Sequence, residues 1–291
     1  MTMTPDISRP PLIRSRALRR FLSHKLAMLG LVMVLGLTLA CFIGPYLLPY
    51  DELYIDLRAR FAPPGTGAHI FGTDPLGRDV AARLFHAGQI SMAVGFAAML
   101  ISICIGSAVG VISGYYGGRT SAVLMRVVDA FLSFPSVFLL LALAAFVKPG
   151  PAMITLIIAV TSWMEVARIV EAEVKSLRDR DFVQAARMLG LSSRWIMFRE
   201  LLPNAIGPII VAATLTVARA ILLEAYISFL GYGIQPPLPS WGNMLNGAQQ
   251  YLQSAPWLAI VPGLAITIAV AGFNFIGDGV REALDSRSDQ R

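Results

Sequence analysis

The sequence predicts an all-α, polytopic membrane protein with six transmembrane helices, and three observations carry that prediction. Only 14% of the 291 residues are Asp, Glu, Lys or Arg, against about 25% in a soluble domain. The mean hydropathy is +0.65. Apolar runs of the length a bilayer demands, about 20 residues for a helix, recur from one end of the chain to the other.

Taken in order, a basic segment over residues 1–25 leads into the first run, Leu26–Leu48. The "LRRFLS" at Leu18 invites an export-signal reading, but the run that follows is too long for a cleaved signal and offers no small-residue cleavage site, so it reads as a retained anchor. A long loop, 49–90, separates it from Ser91–Ser113. Within that loop "TDPLGRD" has the chemistry of a helix start, with Asp74 as cap and Pro75 in the first turn. Gly106, Gly110 and Gly114 recur every four residues at the end of the second run, a spacing that lets another helix approach closely. The third run, Val123–Val147, contains Pro135, and the sixth, Trp257–Gly277, contains Pro262; both prolines predict kinks. The fourth, Met153–Ala167, is short and ends at Glu165 and Arg168; the fifth is Ile206–Leu230. The transmembrane body thus spans residues 26–280, with a loop at 168–205, another at 231–256, and a tail at 281–291.

Basic residues orient these runs. Arg9, Arg14, Arg16, Arg19, Arg20 and Lys25 precede the first, and Arg168, Lys175, Arg178, Arg180, Arg187, Arg194 and Arg199 fill the loop after the fourth. The loop between the fifth and sixth runs has no lysine or arginine at all. The excess of Lys and Arg on cytoplasmic loops places both termini in the cytoplasm and loops 49–90 and 231–256 outside. The same distribution accounts for the net charge of +6 without nucleic acid. Trp241 in the external loop 231–256 and Trp257 just after it suit a membrane interface.

Enzyme and metal chemistry find no support. The two cysteines, Cys41 and Cys104, lie apart in apolar runs, and His24, His69 and His86 are scattered with no ligand spacing. The three lysines follow His24, Val147 and Val174, so no Gly-Lys pair, and hence no P-loop, exists. Ionisable groups inside apolar runs are costly and point to function. Arg126 and Asp129 stand i, i+3 and are expected to neutralise each other. Arg219 and Glu224 stand five apart, on different faces. Asp129, Glu224, Tyr226 and Ser228 are the candidates for a translocation path.

The loop before the fifth run is patterned. Phe182, Ala185, Ala186 and Leu189 follow i, i+3, i+4, i+7 on one helix face, Gly190 ends the helix, and a second amphipathic piece over 194–201 stops at Pro203. The pattern fits either a surface that enters another protein's groove or a helix resting on headgroups.

A resemblance separates the two. "QAARMLG" with "LLP" downstream resembles the EAA loop of permease subunits in binding-protein-dependent ABC importers. Ala185, Ala186, Gly190, Leu202 and Pro203 match that motif, whereas Gln184 stands in place of its glutamate and Glu200 in place of an apolar residue. "HIFGTDPLGRDVAARLFHAGQIS", "SFLGYGIQPPLPSWGNML", "APWLAIVPGLAI" and "FNFIGDGVREALD" are similar to the peptide and nickel importer branch, and to the second of its two paired permeases. The resemblance implies a type I ABC importer permease fold in the cytoplasmic (inner) membrane of a prokaryote. It implies a helix at 182–189 that couples to a separate ATPase through Phe182, Gln184, Ala185, Ala186, Arg187, Leu189 and Gly190. The implied partners are a sister permease, two ATP-binding subunits that hold ATP and Mg, an extracytoplasmic substrate-binding protein, and peptide as cargo, with no cofactor or catalytic residue in this chain. The competing expectation is an ion-coupled secondary carrier or channel using Glu224, Asp129 and Arg219 as its relay, for which a structured loop before the fifth run is unnecessary.

Overall fold

The computed structural model of the chain describes residues 12–284. Arg9 and residues 285–291 of the expected tail lie outside the described residues. The elements are α1 (Leu12–Ser23), α2 (Lys25–Leu47), α3 (Val80–Tyr116), α4 (Gly118–Leu132), α5 (Ser136–Ala145), α6 (Pro151–Leu177), α7 (Asp181–Met188), α8 (Ser193–Trp195), α9 (Leu202–Asn204), α10 (Ile206–Phe229), α11 (Trp241–Leu245) and α12 (Trp257–Leu284), with a π-helical stretch at Ile196–Leu201. Five of them, α2, α3, α6, α10 and α12, are long and apolar enough to cross a membrane.

The sixth crossing is not one helix. The third apolar run is split into α4 and α5, bent by 80° at the break. Pro135, the cap of α5, has no N–H to continue the ladder, and its ring disfavours helical geometry at the residue before it, Phe134. The pair nevertheless has to return the chain across the bundle, because α3 and α6 run parallel. A Cβ built on Gly106, Gly110 or Gly114 of α3 would meet Val166, Val170 or Val174 of α6 at 2.6–2.7 Å. The three-glycine stripe is therefore the seam on which α6 rests, as its spacing predicts.

The other neighbours alternate in direction. Gly30 of α2 backs onto Gly272 of α12, and Gly279 abuts Ala27. Gly277 of α12 meets Thr214 of α10, and Gly95 of α3 meets Ile221 of α10. His24 caps α2, its Nδ1 accepting from the Ala27 N–H at 3.0 Å, which leaves Nε2 to donate to Glu282 at 3.1 Å. The start of α2 and the end of α12 thus share one end of the bundle, and α7 lies at that same end.

Helix limits differ from the apolar runs wherever polar residues continue a helix. α6 runs ten residues past Ala167, because Arg168, Glu171 and Lys175 continue the helix and pair along or across it. α3 starts eleven residues before Ser91, and Asp79, not Asp74, is its cap: Asp79 Oδ1 accepts from the Ala82 N–H at 2.7 Å while Oδ2 meets His69 Nδ1 at 2.8 Å. Asp74 closes the preceding turn instead, accepting from the N–H groups of Leu76 and Arg78 and from Arg78 Nε. Gly77, at φ +75°, makes that turn, and a Cβ there would lie 1.7 Å from the Asp56 carbonyl oxygen, so the helix cannot begin until the turn is complete.

Candidate functional site: a docked helix and two buried carboxyl groups

α7 has eight residues, Asp181–Met188, with Asp181 in the first turn where the helix dipole favours an acid. It ends in a Schellman motif: the N–H of Leu191 donates to the Ala186 carbonyl at 3.2 Å and that of Gly190 to Arg187 at 3.0 Å, with Gly190 at φ +74°. Ser192 then caps α8 through the Trp195 N–H. The chain widens to π-helix over Ile196–Leu201, with the Leu202 N–H reaching Met197. Pro203 does not break this segment before the fifth crossing. It sits in the first turn of α9, where a missing N–H is tolerated.

The faces of α7 fall differently from the expected i, i+3, i+4, i+7 stripe. Val183 and Ala186 point inward, buried with Tyr115 of α3, Val174 of α6 and Ile196, Met197 and Leu201. Ala186 is therefore part of the internal core rather than of the outward surface, because Val183, three residues earlier, faces the bundle. Outward lie Phe182, Ala185, Met188 (88% exposed) and Leu189 (78% exposed), with Trp195 and Phe198 beyond. Sequence reasoning missed Val183 and Met188; the valine three before Ala186 was the available signal. Arg187 lies over the Tyr115 ring at 5.1 Å, the Tyr115 hydroxyl meets Ser193 Oγ at 3.3 Å, and Arg178 Nη1 donates to the Gly114 carbonyl at 3.3 Å. Gln184 is half-buried and Gly190 has open space around it. α7 is thus clamped to the ends of α3 and α6 with an apolar face left bare.

Just inside that end, Glu171 of α6 is buried and receives Ser113 Oγ of α3 at 2.7 Å, Ser121 Oγ of α4 at 2.6 Å and Lys175 Nζ at 2.8 Å. This junction of three helices was not singled out from the sequence. The Glu171/Lys175 i, i+4 spacing was its only visible trace.

The charged residues expected to act together are separate. Asp129 of α4 pairs with Arg168 of α6, not with Arg126; the bend after α4 lays that helix against α6 and turns Asp129 toward it. Arg219 of α10 pairs with Glu165 of α6. Glu224 is fully buried and takes Ser91 Oγ of α3 at 2.8 Å and Ser228 Oγ at 2.7 Å. Of the four path candidates, the fold brings together Glu224 and Ser228, leaves Tyr226 exposed beside an apolar groove of α10, α12 and residues 245–252, and puts Asp129 on the α4/α6 seam.

The loop 231–256 folds partly into the bundle. Ile234, Ser240 and Trp241 are buried, and Trp241, expected at a membrane interface, donates its Nε1–H to the Leu84 carbonyl at 3.1 Å inside the bundle. Trp257 ties down the loop before α3, donating to the Thr73 carbonyl at 3.2 Å.

Residues 106–290 match the family model described as "Binding-protein-dependent transport system inner membrane component". The chain belongs to that family. As its member it is the permease component of an ABC importer and not the ATPase. Residues 14–64 of the permease match the N-terminal transmembrane domain of oligopeptide transport permease C. A Brucella suis biovar 1 protein whose name places it among peptide permeases is 43% identical, covering 94% of this chain and 91% of its own. The dipeptide transport system permease protein DppC of Alkalihalophilus pseudofirmus is 36% identical over 98% of this chain and 96% of its own, and that of Haemophilus influenzae is 36% identical over 93% of each. In fold, the permease is similar to a chain of the MetNI methionine ABC transporter solved in inward-facing conformations, with a TM-score of 0.57 and 21% identity over 69% of this chain and 96% of that one.

Proposed function

We propose that this permease carries peptides inward as half of a translocation path, paired with a sister permease, driven by two ATP-binding subunits and fed by an extracytoplasmic substrate-binding protein. In this reading ATP and Mg are bound by the ATP-binding subunits. The chain lies in the cytoplasmic membrane with both termini and α7 on the cytoplasmic side, as the Lys and Arg distribution argues. Peptide cargo rests on the relatives named above.

The observation that carries the reading is the two-sided packing of α7. Val183 and Ala186 lock it to α3 and α6, while Phe182, Ala185, Met188 and Leu189 form an uncovered apolar ridge at the bundle end. A rigid helix with one face embedded and one bare transmits a push from a separate subunit into the crossings, a rigid-body transition. α3, at 37 residues, spans about 55 Å at 1.5 Å per residue and links α7 to the external loop. Glu224, Asp129 and Arg219 have separate partners, so the relay an ion-coupled carrier requires has no continuous chain of groups. Among the path candidates, exposed Tyr226 is the one we retain as path-lining.

Co-purification tests this. Ala185→Trp adds bulk only to the bare face and is expected to leave the permease pair intact while the ATP-binding subunits are lost. Ala186→Trp forces bulk into the internal cluster and is expected to lower the yield of the permease itself. Equal recovery of ATP-binding subunits with wild type and Ala185→Trp refutes the docking role.

A further inference from the structure

The loop after α10 folds back into the bundle, and the close approaches there leave no room for side chains. A Cβ on Gly242 would lie 2.4 Å from the Ala225 carbonyl oxygen, and one on Gly233 2.1 Å from Ser228 Oγ. A Cβ on Gly88 of α3 would lie 2.2 Å from Cys41 Sγ and 2.8 Å from the Trp241 ring. The segment is therefore wedged between α2, α3 and α10, with the Trp241 indole in the same buried cluster as Cys41.

Its hydrogen bonds converge on one group. The Trp241 N–H donates to Ser91 Oγ at 3.2 Å, and Ser91 donates its own proton to Glu224 Oε2 at 2.8 Å. The Ile234 N–H donates to Ser228 Oγ at 3.0 Å, and Ser228 donates to Glu224 Oε1 at 2.7 Å. Ser240 caps α11 next to Trp241, its Oγ accepting from the Asn243 N–H at 3.2 Å. Ser91 and Ser228 each accept from a backbone N–H and turn the hydroxyl proton to Glu224. Such a directed network strengthens along its length and is costly to leave half-made.

We propose that Glu224 is a positioning residue, whose carboxyl group gathers Ser91 and Ser228 so as to hold the re-entrant segment Ile234–Asn243 in place as the closure of the external end of the helix bundle. Because Ser91 stands on α3, the helix that also carries Tyr115 against α7, sliding of α3 past α10 must break the Ser91–Glu224 bond and free one edge of the segment. Glu224 thereby links closure at the outer end to movement at the α7 end. This inference needs neither the cargo nor the ATP-binding subunits to be identified.

The experiment uses the full chain in its assembled complex in lipid nanodiscs, with Cys104→Ser as background so that Cys41 is the remaining thiol of this chain. Two readings are taken: amide hydrogen exchange, and labelling of Cys41 by a membrane-impermeant maleimide, located by peptide mass. Glu224→Ala is expected to accelerate exchange across 234–243 and Cys41 labelling by about tenfold, the equivalent of losing one strong hydrogen bond, with α7 and its surroundings unchanged. Glu224→Gln, which keeps one acceptor oxygen, is expected between Glu224→Ala and the parent. If Glu224→Ala does not accumulate, Ser91→Ala carries the test, and exchange is expected to rise at Trp241 but not at Ile234. Unchanged exchange and labelling, or an increase spread equally over α7 and the segment, overturns the proposal.

Discussion

Gly110→Ala is expected to destabilise the bundle by forcing α3 and α6 apart. The added Cβ would lie 2.7 Å from the Ala167 carbonyl oxygen, 2.7 Å from Val170 Cβ and 3.0 Å from the Glu171 backbone nitrogen. Carbon atoms rest at about 3.5–4.0 Å, so the contact is about 1 Å too short, and two of the three obstacles are backbone that no rotamer change can move. Separating the helices also loosens Gly106 on Val166 and Gly114 on Val174, and draws Ser113 away from Glu171. Overpacking of this kind costs about 1–3 kcal/mol, a shift of about 5- to 150-fold in the folding equilibrium. Gly36→Ala in α2 is the matched control, because a Cβ there has nothing within 4 Å. A helical alanine in place of glycine is expected to be neutral or to stabilise by about 0.5–1 kcal/mol. Thermal unfolding of both variants in the same detergent, followed by loss of the monodisperse peak on size-exclusion chromatography, reads the difference. If Gly110→Ala melts at or above the parent while Gly36→Ala does not differ from it, the account of the glycine seam is wrong.

Asp79→Ala removes both the α3 cap and the partner of His69, and is expected to cost about 1–2 kcal/mol from the cap alone, measured in the same melting assay. Asp79→Asn, which keeps a capping oxygen, should recover part of the loss. The Asp129–Arg168 pair, about half-exposed at both side chains, is expected to show a coupling of about 0.2–1 kcal/mol in a double-mutant cycle. A coupling well above that range would mean the seam is buried in the assembled transporter.

Much of the architecture is legible because it follows from local chemistry. The apolar runs mark where lipid can solvate a helix but not where the helix stops, so α3 and α6 overran their predicted limits as soon as Asp79, Glu171 and Lys175 found partners. Gly190 announced the end of α7 correctly, since only its neighbours' carbonyls and a left-handed φ are involved. The assignment of Ala186 to an outward face failed for the opposite reason. An eight-residue helix with apolar residues at 182, 183, 185, 186 and 188, and another just past its end at 189, has no single stripe, and the choice of which side faces Tyr115 and Val174 belongs to the packing. Asp74 and Asp79 have equally good capping sequences, and the turn at Gly77 selects between them.

By itself the sequence determined that the chain crosses a membrane, which loops carry positive charge, where α7 ends, and that three glycines spaced by four invite a close partner helix. Each of these depends on neighbours within a turn or two, or on the transfer of apolar residues out of water. Only the tertiary structure decided that α6 is that partner, that Asp129 turns to Arg168 and Arg219 to Glu165, and that Glu224 gathers two serines that hold a re-entrant loop. Those pairings join residues up to 150 positions apart, and a hydrogen bond that short in space but that long in sequence leaves no periodicity for a linear reading to find.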